Sequence, residues 1–329
     1  MMKHPYSPLR RLLCLFGAAC LAAPALPALA AGDYPAQPVR LVVPFPPAGG
    51  TDVMARLVFN KIGTDAHWNV VVENRAGAGG NIGLDAVAKA KPDGYTLGMG
   101  QTANLAINPS LYPRMPYDVL KDFAPVALVS AQPVVLVVRA DAPFKTVADL
   151  VGAAKGRTLS MASAGTGTVG HLTGEMFARR AGIKVLHVPY KGASPALTDL
   201  LGGQTDFYFA TPPIALPMIK AGKLRALAVT SAKRSALLPA VPTVIESGYA
   251  GFQAEDWKAV VAPAGTPAEV IRRVNEQTNK ALASPDTISK MRAEGSEPRG
   301  GTPAELAAFI KAEHARWGAI VRESGAHVE

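Results

Sequence analysis

Val39-Arg40-Leu41-Val42-Val43 runs into Pro44-Phe45-Pro46-Pro47-Ala48-Gly49-Gly50 and then Thr51-Asp52. Five residues rich in valine and leucine read as a buried strand, and the prolines and glycines end it. Met54, Leu57, Val58 and Ile62 then recur at helical spacing, with Gly63 as the stop. A strand that passes through a Gly-rich loop into a helix is the repeating unit of an α/β sheet.

The unit recurs. Asn69–Glu73 reads as a strand, a Gly-rich link leads to a helix from about Asn81 to Lys89, and Tyr95–Met99 is the next strand. Thr158–Ala162 precedes a Gly/Thr loop and the helix His171–Ala181. Ile183–Val188 precedes a helix at Ser194–Leu201 with Pro195 in its first turn, and Asp206–Ala210 and Leu224–Thr230 are further strands. The last third is helical. Thr266-Pro267-Ala268-Glu269 and Thr302-Pro303-Ala304-Glu305 both have the form of a capping box, and the second opens a helix with Leu306, Phe309, Ile310, Trp317 and Ile320 on its apolar face. Two apolar strands, Val134–Val138 and Trp257–Ala262, are placed to carry the chain between two domains. This divides the chain into a leader over 1–30, a first lobe built from 31–130 plus 253–329, and a second lobe over 131–252.

The 329 residues are 49% hydrophobic and 18% charged, enough apolar material for two cores and too little charge for disorder. Lys3, Arg10 and Arg11 precede an uncharged apolar run from Leu12 to Leu29 that ends in Ala28-Leu29-Ala30. This is the pattern of a secretory signal peptide cleaved near Ala30, which directs the mature protein out of the cytoplasm. A membrane anchor is opposed by Pro24 and Pro27, and a lipidated Cys20 by Gly17 at the position where leucine is preferred. Cleavage removes three of the 34 Lys+Arg and no acid, so the net charge falls from +9 to +6. It also removes Cys14 and Cys20, the only cysteines. The remaining cations, such as Lys220, Lys223, Arg225, Lys233 and Arg234, are scattered and not interleaved with aromatics, which argues against nucleic-acid binding. No later apolar run is long enough to span a bilayer.

Several motifs invite a catalytic or cofactor reading. Gly165-Thr166-Gly167-Thr168-Val169-Gly170 matches the dinucleotide fingerprint, yet the next strand ends in His187-Val188-Pro189-Tyr190-Lys191 without the acid that would hold a ribose. Gly77–Gly83 misses that spacing and reads as a tight turn. A hydrolase would use His171 with Ser163 or Thr168, but no orienting carboxylate and no nucleophile elbow accompany them. His171 at a helix start reads as a cap or packing residue in preference to a general base. No two histidines have ligand spacing on one helix, so neither a metal nor a cofactor is expected. What remains is two Gly/Thr-rich loops, each delivering uncommitted backbone N–H groups to a helix N-terminus, where an anion binds without Arg or Lys.

Val42–Asp52 resembles the opening signature of the Bug family, the substrate-binding proteins of tripartite tricarboxylate transporters. So do Val72-Glu73-Asn74-Arg75, Gly77–Gly83, Pro92–Leu97, Ile107-Asn108-Pro109-Ser110-Leu111-Tyr112, Asp122–Val126, His187–Gly192 and Ala262–Pro267. The resemblance implies a two-lobed α/β periplasmic binding protein of the type II, Venus-flytrap kind with two crossover segments, non-enzymatic and closing on a small organic carboxylate. It places Phe45, Ala48, Gly49, Gly50, Thr51 and Asp52 at the ligand from the first lobe. Ser163, Gly165, Thr166, Gly167, Thr168 and His171 face it from the second, with Gln101, Ala103, Tyr208 and Thr211 lining the rest. It implies membrane permease subunits as partners, or a sensor kinase where such a protein serves signalling, and a monomeric state. Ala48 replaces a glycine frequent in the family, and Ala210-Thr211 stands where many members carry an acid-amide pair. The expectation is that amino acids bind poorly and plain or aromatic carboxylates are preferred.

Overall fold

The computed structural model describes Met2 and residues 34–328. The leader, its cleavage near Ala30 and both cysteines lie outside the described residues. In chain order the first elements are β1 (Val39–Val43), α1 (Gly50–Ala66), β2 (Val70–Asn74), α2 (Asn81–Ala88), β3 (Thr96–Gln101) and α3 (Asn108–Leu111). They are followed by β4 (Phe123–Pro133), β5 (Val135–Arg139), α4 (Val147–Gly156), β6 (Leu159–Ser163), α5 (Val169–Ala181), β7 (Val185–Pro189) and α6 (Ala193–Leu201). Next come β8 (Phe207–Ala210), α7 (Pro212–Lys220), β9 (Leu224–Val229) and β10 (Glu255–Pro263). The chain ends with α8 (Ala268–Ala283), α9 (Pro285–Ala293), β11 (Glu297–Gly300) and α10 (Pro303–Ser324).

Two sheets result. The first has the order β11-β4-β10-β3-β1-β2 and the second β7-β6-β8-β5-β9. In each, the strands that feed helices are parallel: Leu41 lies opposite Val72 and Leu97, and Met161 opposite His187 and Phe207. The loops at the carboxyl ends of β1, β3, β6 and β8 are where an open α/β sheet binds its ligands. Antiparallel strands complete both sheets. β10 pairs with β3 and β4, and β5 pairs with β8 and β9.

Val135–Val138 and Trp257–Ala262 are therefore strands inside the two sheets, and Val134 lies in the step just ahead of the first. Two passages, each leading into one of these strands, carry the chain between the sheets. One is the step from Pro133 to Val135, and the other joins the end of β9 to the start of β10. Thr230, fully buried, holds both passages: its hydroxyl accepts from the Val134 N–H at 2.9 Å and donates to the Ala254 carbonyl at 2.6 Å. Backbone bonds from Thr230 to Val134 and from Ala254 to Thr230 join the same three residues.

Local chemistry explains several element ends. Thr302 and Glu305 form the predicted capping box at the start of α10, and Thr146 with Asp149 forms another on α4 that the sequence reading did not identify. The box expected at Thr266 is absent. The Thr266 hydroxyl donates instead to the Pro263 carbonyl at 2.8 Å, and Glu269 pairs with Arg272, so α8 starts without a side-chain cap. The long strand β4 and the π-turn at Ala103–Ile107 were also not foreseen. α10 docks through Trp317, fully buried, and through Glu313, which accepts the indole N–H of both Trp257 and Trp317 at 2.8 and 2.9 Å. The Trp257 bond fixes the helix against β10 where apolar contact alone would allow sliding, and the Trp317 bond, within α10, holds the carboxylate in place for it. Among the described residues no helix is long and apolar enough to cross a membrane.

Candidate functional site

A cavity of about 220 Å³ lies between the two sheets' loop ends. Phe45, Gly79, Gln101, Ala103, Asn108, Tyr112 and Asp256 line it from the first-sheet side. From the second-sheet side come Ala164, Thr166–Gly170, Ala193, Tyr208, Phe209 and Thr211. Of the sixteen residues expected at the site, Phe45, Gln101, Ala103, Thr166, Gly167, Thr168, Tyr208 and Thr211 are brought to this cavity.

The cavity is equipped with neutral donors. The Thr51 hydroxyl donates to Gln101 Oε1, which leaves the Gln101 amide nitrogen without a protein acceptor among the described residues. Burial raises the Tyr208 hydroxyl above the usual tyrosine range, which keeps it protonated and able to donate. α6 starts at Gly192 with no side-chain cap, so the N–H groups of Ala193 and Ser194 have no side-chain partner, whereas α7 opens with Pro212-Pro213 and presents no N–H there. No Lys, Arg or His lines the space, and Asp256 is its one charged side chain.

The other expected residues stand behind or beside the cavity. Ser163 is fully buried, with its Oγ 2.6 Å from His187 Nε2 and accepting from the Gly165 N–H at 3.2 Å. His171, also buried, stacks on His187 with ring centroids 3.7 Å apart. Its Nδ1 accepts from the Gly167 N–H at 3.1 Å, so the proton sits on Nε2, 3.8 Å from Glu175. Burial pushes His171 down to about 3, aided by the neighbouring His187, and burial pushes His187 down to about 4. Both rings are neutral at pH 7. The pair and Ser163 brace the Gly165–Thr168 loop from behind and do not line the cavity. The serine pairs with His187 and not with His171, neither ring has a carboxylate at hydrogen-bond distance, and the serine is closed to solvent. The hydrolase reading finds no constellation here.

Asp52 is likewise a brace. It is buried and accepts from the Ala48 N–H at 2.9 Å, from Arg56 Nε at 3.0 Å and from Asn74 Nδ2 at 2.9 Å. Burial works to raise its carboxyl, but the bonds from Arg56, Asn74 and Ala48 outweigh that and hold it below the usual range. The bond to Ala48 ties down a residue in the left-handed region, φ 61°. The loop tip at Ala48, Gly49 and Gly50 borders solvent and does not line the cavity.

Gly167 is where the two sides meet. Its φ is 78°, and a Cβ there would lie 2.1 Å from Leu111 Cδ2 of α3. Only a residue without a side chain allows this close approach.

Sequence reasoning missed Gly79, Asn108, Tyr112, Ala193 and Asp256. Gly79 belongs to the run read as a tight turn, and the run does form a short 3₁₀ turn over Ala78–Gly80. Asn108 donates to the Gly79 carbonyl at 3.1 Å and to Asn81 Oδ1 at 2.7 Å, which binds that turn to the π-turn region.

Two α/β sheets, linked by two passages and separated by a donor-lined cavity at their strand ends, define a two-lobed solute-binding protein. Residues 54–326 match the family described as the tripartite tricarboxylate transporter family receptor, and the chain belongs to that family. Protein BugT of Bordetella pertussis is 42% identical over 322 residues, which is 97% of this chain and 99% of BugT. The solved structure of R. palustris Rpa4515 with adipate is 37% identical with a TM-score of 0.82, covering 90% of this chain and 100% of that one. That of MatC from Rhodopseudomonas palustris with bound malate is 32% identical with a TM-score of 0.77, covering 88% and 100%.

Proposed function

We propose that this protein captures a small organic acid between its lobes in the periplasm, without catalysis, and delivers it to the membrane subunits of a tripartite uptake system. The observation that carries the reading is the cavity's composition: convergent neutral donors from both lobes, the uncapped start of α6, and no cationic side chain among the described lining residues. Such a site stabilises a carboxylate through oriented dipoles, and excluding water strengthens each one. Adipate in Rpa4515 and malate in MatC support the ligand class. At liquid density the space holds about seven waters, so an acid of roughly four to six carbons is the fitting size.

Gln101, Tyr208, Thr211 and the Thr166–Thr168 loop contact the acid directly in this reading. Ala48, Gly49, Gly50 and Thr51 join on closure; α1 has no side-chain cap at Gly49, and Gly50 faces open space. The lobes in this reading are 31–130 plus 253–329 and 131–252, with the first boundary moved to Pro133 where β4 ends, and they pivot at Thr230. Ligand that touches both lobes only in the shut form shifts the hinge equilibrium toward closure. The leader is removed near Ala30, and the mature protein acts as a monomer.

The test is thermal unfolding of the mature protein against mono-, di- and tricarboxylates. An acid at 100 times its dissociation constant adds about 2.7 kcal/mol to the native state and raises the midpoint by several degrees. A flat response to every acid refutes the proposal.

A further inference from the structure

Asp256 sits at the start of β10, beside the pivot, and is the cavity's one charged side chain. Both of its hydrogen bonds fall on a single oxygen. Oδ2 accepts from Lys258 Nζ at 2.8 Å and from Gln132 Nε2 at 3.1 Å. Gln132 is held in turn by Ser296, whose hydroxyl donates to its Oε1 at 2.7 Å. Lys258 is 1% exposed and does not line the cavity. Asp256 lines the cavity, its side chain keeps 13% exposure, and Oδ1 has no protein partner among the described residues, so Oδ1 is the oxygen left free to accept.

We infer that Asp256 is a specificity-determining residue whose Oδ1 accepts a hydrogen bond from a hydroxyl group on the bound acid. The inference rests on the carboxylate-capture reading above and narrows it. A carboxylate is acceptor-only, so whatever part of the ligand lies against Oδ1 must be a donor. A plain acid offers none at neutral pH, and its own carboxylates are repelled there. A hydroxyl supplies the donor without charge. An ammonium is disfavoured because Lys258 already neutralises Asp256 from the other side, and no second acid lines the cavity to balance another cation. The expectation of a plain acid is revised accordingly, whereas poor binding of amino acids is retained on separate grounds. The geometry also explains why a buried ion pair is kept at this place. Lys258 and Gln132 hold Oδ2, so Oδ1 is aimed before the ligand arrives.

Calorimetry on the full mature protein with matched acids tests this: malate against succinate, 2-hydroxyglutarate against glutarate, 2-hydroxyadipate against adipate, with aspartate and glutamate alongside. In at least one pair the hydroxy acid should bind tenfold or more tighter than its deoxy partner, as expected for a bond to a charged acceptor. The amino acids should bind more weakly than that hydroxy acid. Asp256→Leu combined with Lys258→Met removes the acceptor without leaving a buried unpaired charge, and the tenfold preference should fall to near one. Equal binding within every pair of the wild-type protein overturns the inference and needs no variant to fold. So does a preference that survives in the double variant, or aspartate binding tighter than malate. Tight succinate binding without discrimination sinks only the role of Asp256, whereas silence toward every acid sinks the capture reading and this inference with it.

Discussion

Replacing Gly167 by alanine should weaken the protein, and the loss can be worked from two separate sources. The residue's φ of 78° lies in the left-handed region, where an L-residue costs about 1–2 kcal/mol. The added Cβ would stand 2.1 Å from Leu111 Cδ2, an overlap relieved only by moving Leu111 off its rotamer or by parting the lobes. Overpacking of this kind costs about 1–3 kcal/mol. The reduced freedom of the unfolded chain returns about 0.5–1 kcal/mol. The net loss is about 2–3 kcal/mol, or about 4–6 °C in the unfolding midpoint of a protein this size. A double-mutant cycle with Leu111→Ala separates the two sources. Removing the leucine abolishes the overlap but leaves the backbone penalty, so the cycle should show about 1–2 kcal/mol of coupling. Additivity within about 0.5 kcal/mol would refute the contact, and a neutral Gly167→Ala would refute the whole argument.

Two further outcomes follow from the loops. His171 and His187 bind protons less readily when folded than when unfolded, so the unfolded chain takes up protons first as pH falls. Their contribution is complete above about pH 6.5 and is lost toward pH 4, at a slope of up to about 1.4 kcal/mol per pH unit for buried His171 and less for the partly exposed His187. Unfolding midpoints should fall between pH 6.5 and 5, above the carboxylate range, and a His171→Asn variant should show a shallower slope; midpoints level across that window would contradict the buried pair. Ala48→Gly should raise stability by about 0.5–1 kcal/mol, because glycine removes the left-handed penalty at φ 61° while the backbone bond to Asp52 remains. An unchanged or lowered urea midpoint would speak against strain at that loop.

The parts of the site readable in the sequence are those with local signals. A strand running into Gly/Thr-rich backbone announces a helix N-terminus in a ligand-facing loop, and this placed Phe45 and Thr166–Thr168. Residues inside those same loops could not be divided into ligand-facing and bracing from sequence. Asp52, Ser163 and His171 differ from their neighbours only in partners that tertiary structure supplies, namely Asn74 and His187. Asn108 and Tyr112 reach the cavity through an unforeseen π-turn, which has no signature of its own. Asp256 did leave a trace. Along β10, Asp256 and Lys258 alternate with Trp257 and Ala259, and charges on one face of an otherwise apolar strand mark a polar cluster at that face.

Thr230 concentrates both interlobe connections on one side-chain oxygen. In any rigid rotation the displacement of an atom grows with its distance from the axis. In the closure proposed above, Asp256, two residues beyond Ala254, therefore shifts less than groups farther from the Thr230 axis. On that proposal an incoming acid meets a nearly fixed wall first, and its fit there is judged before the second lobe arrives.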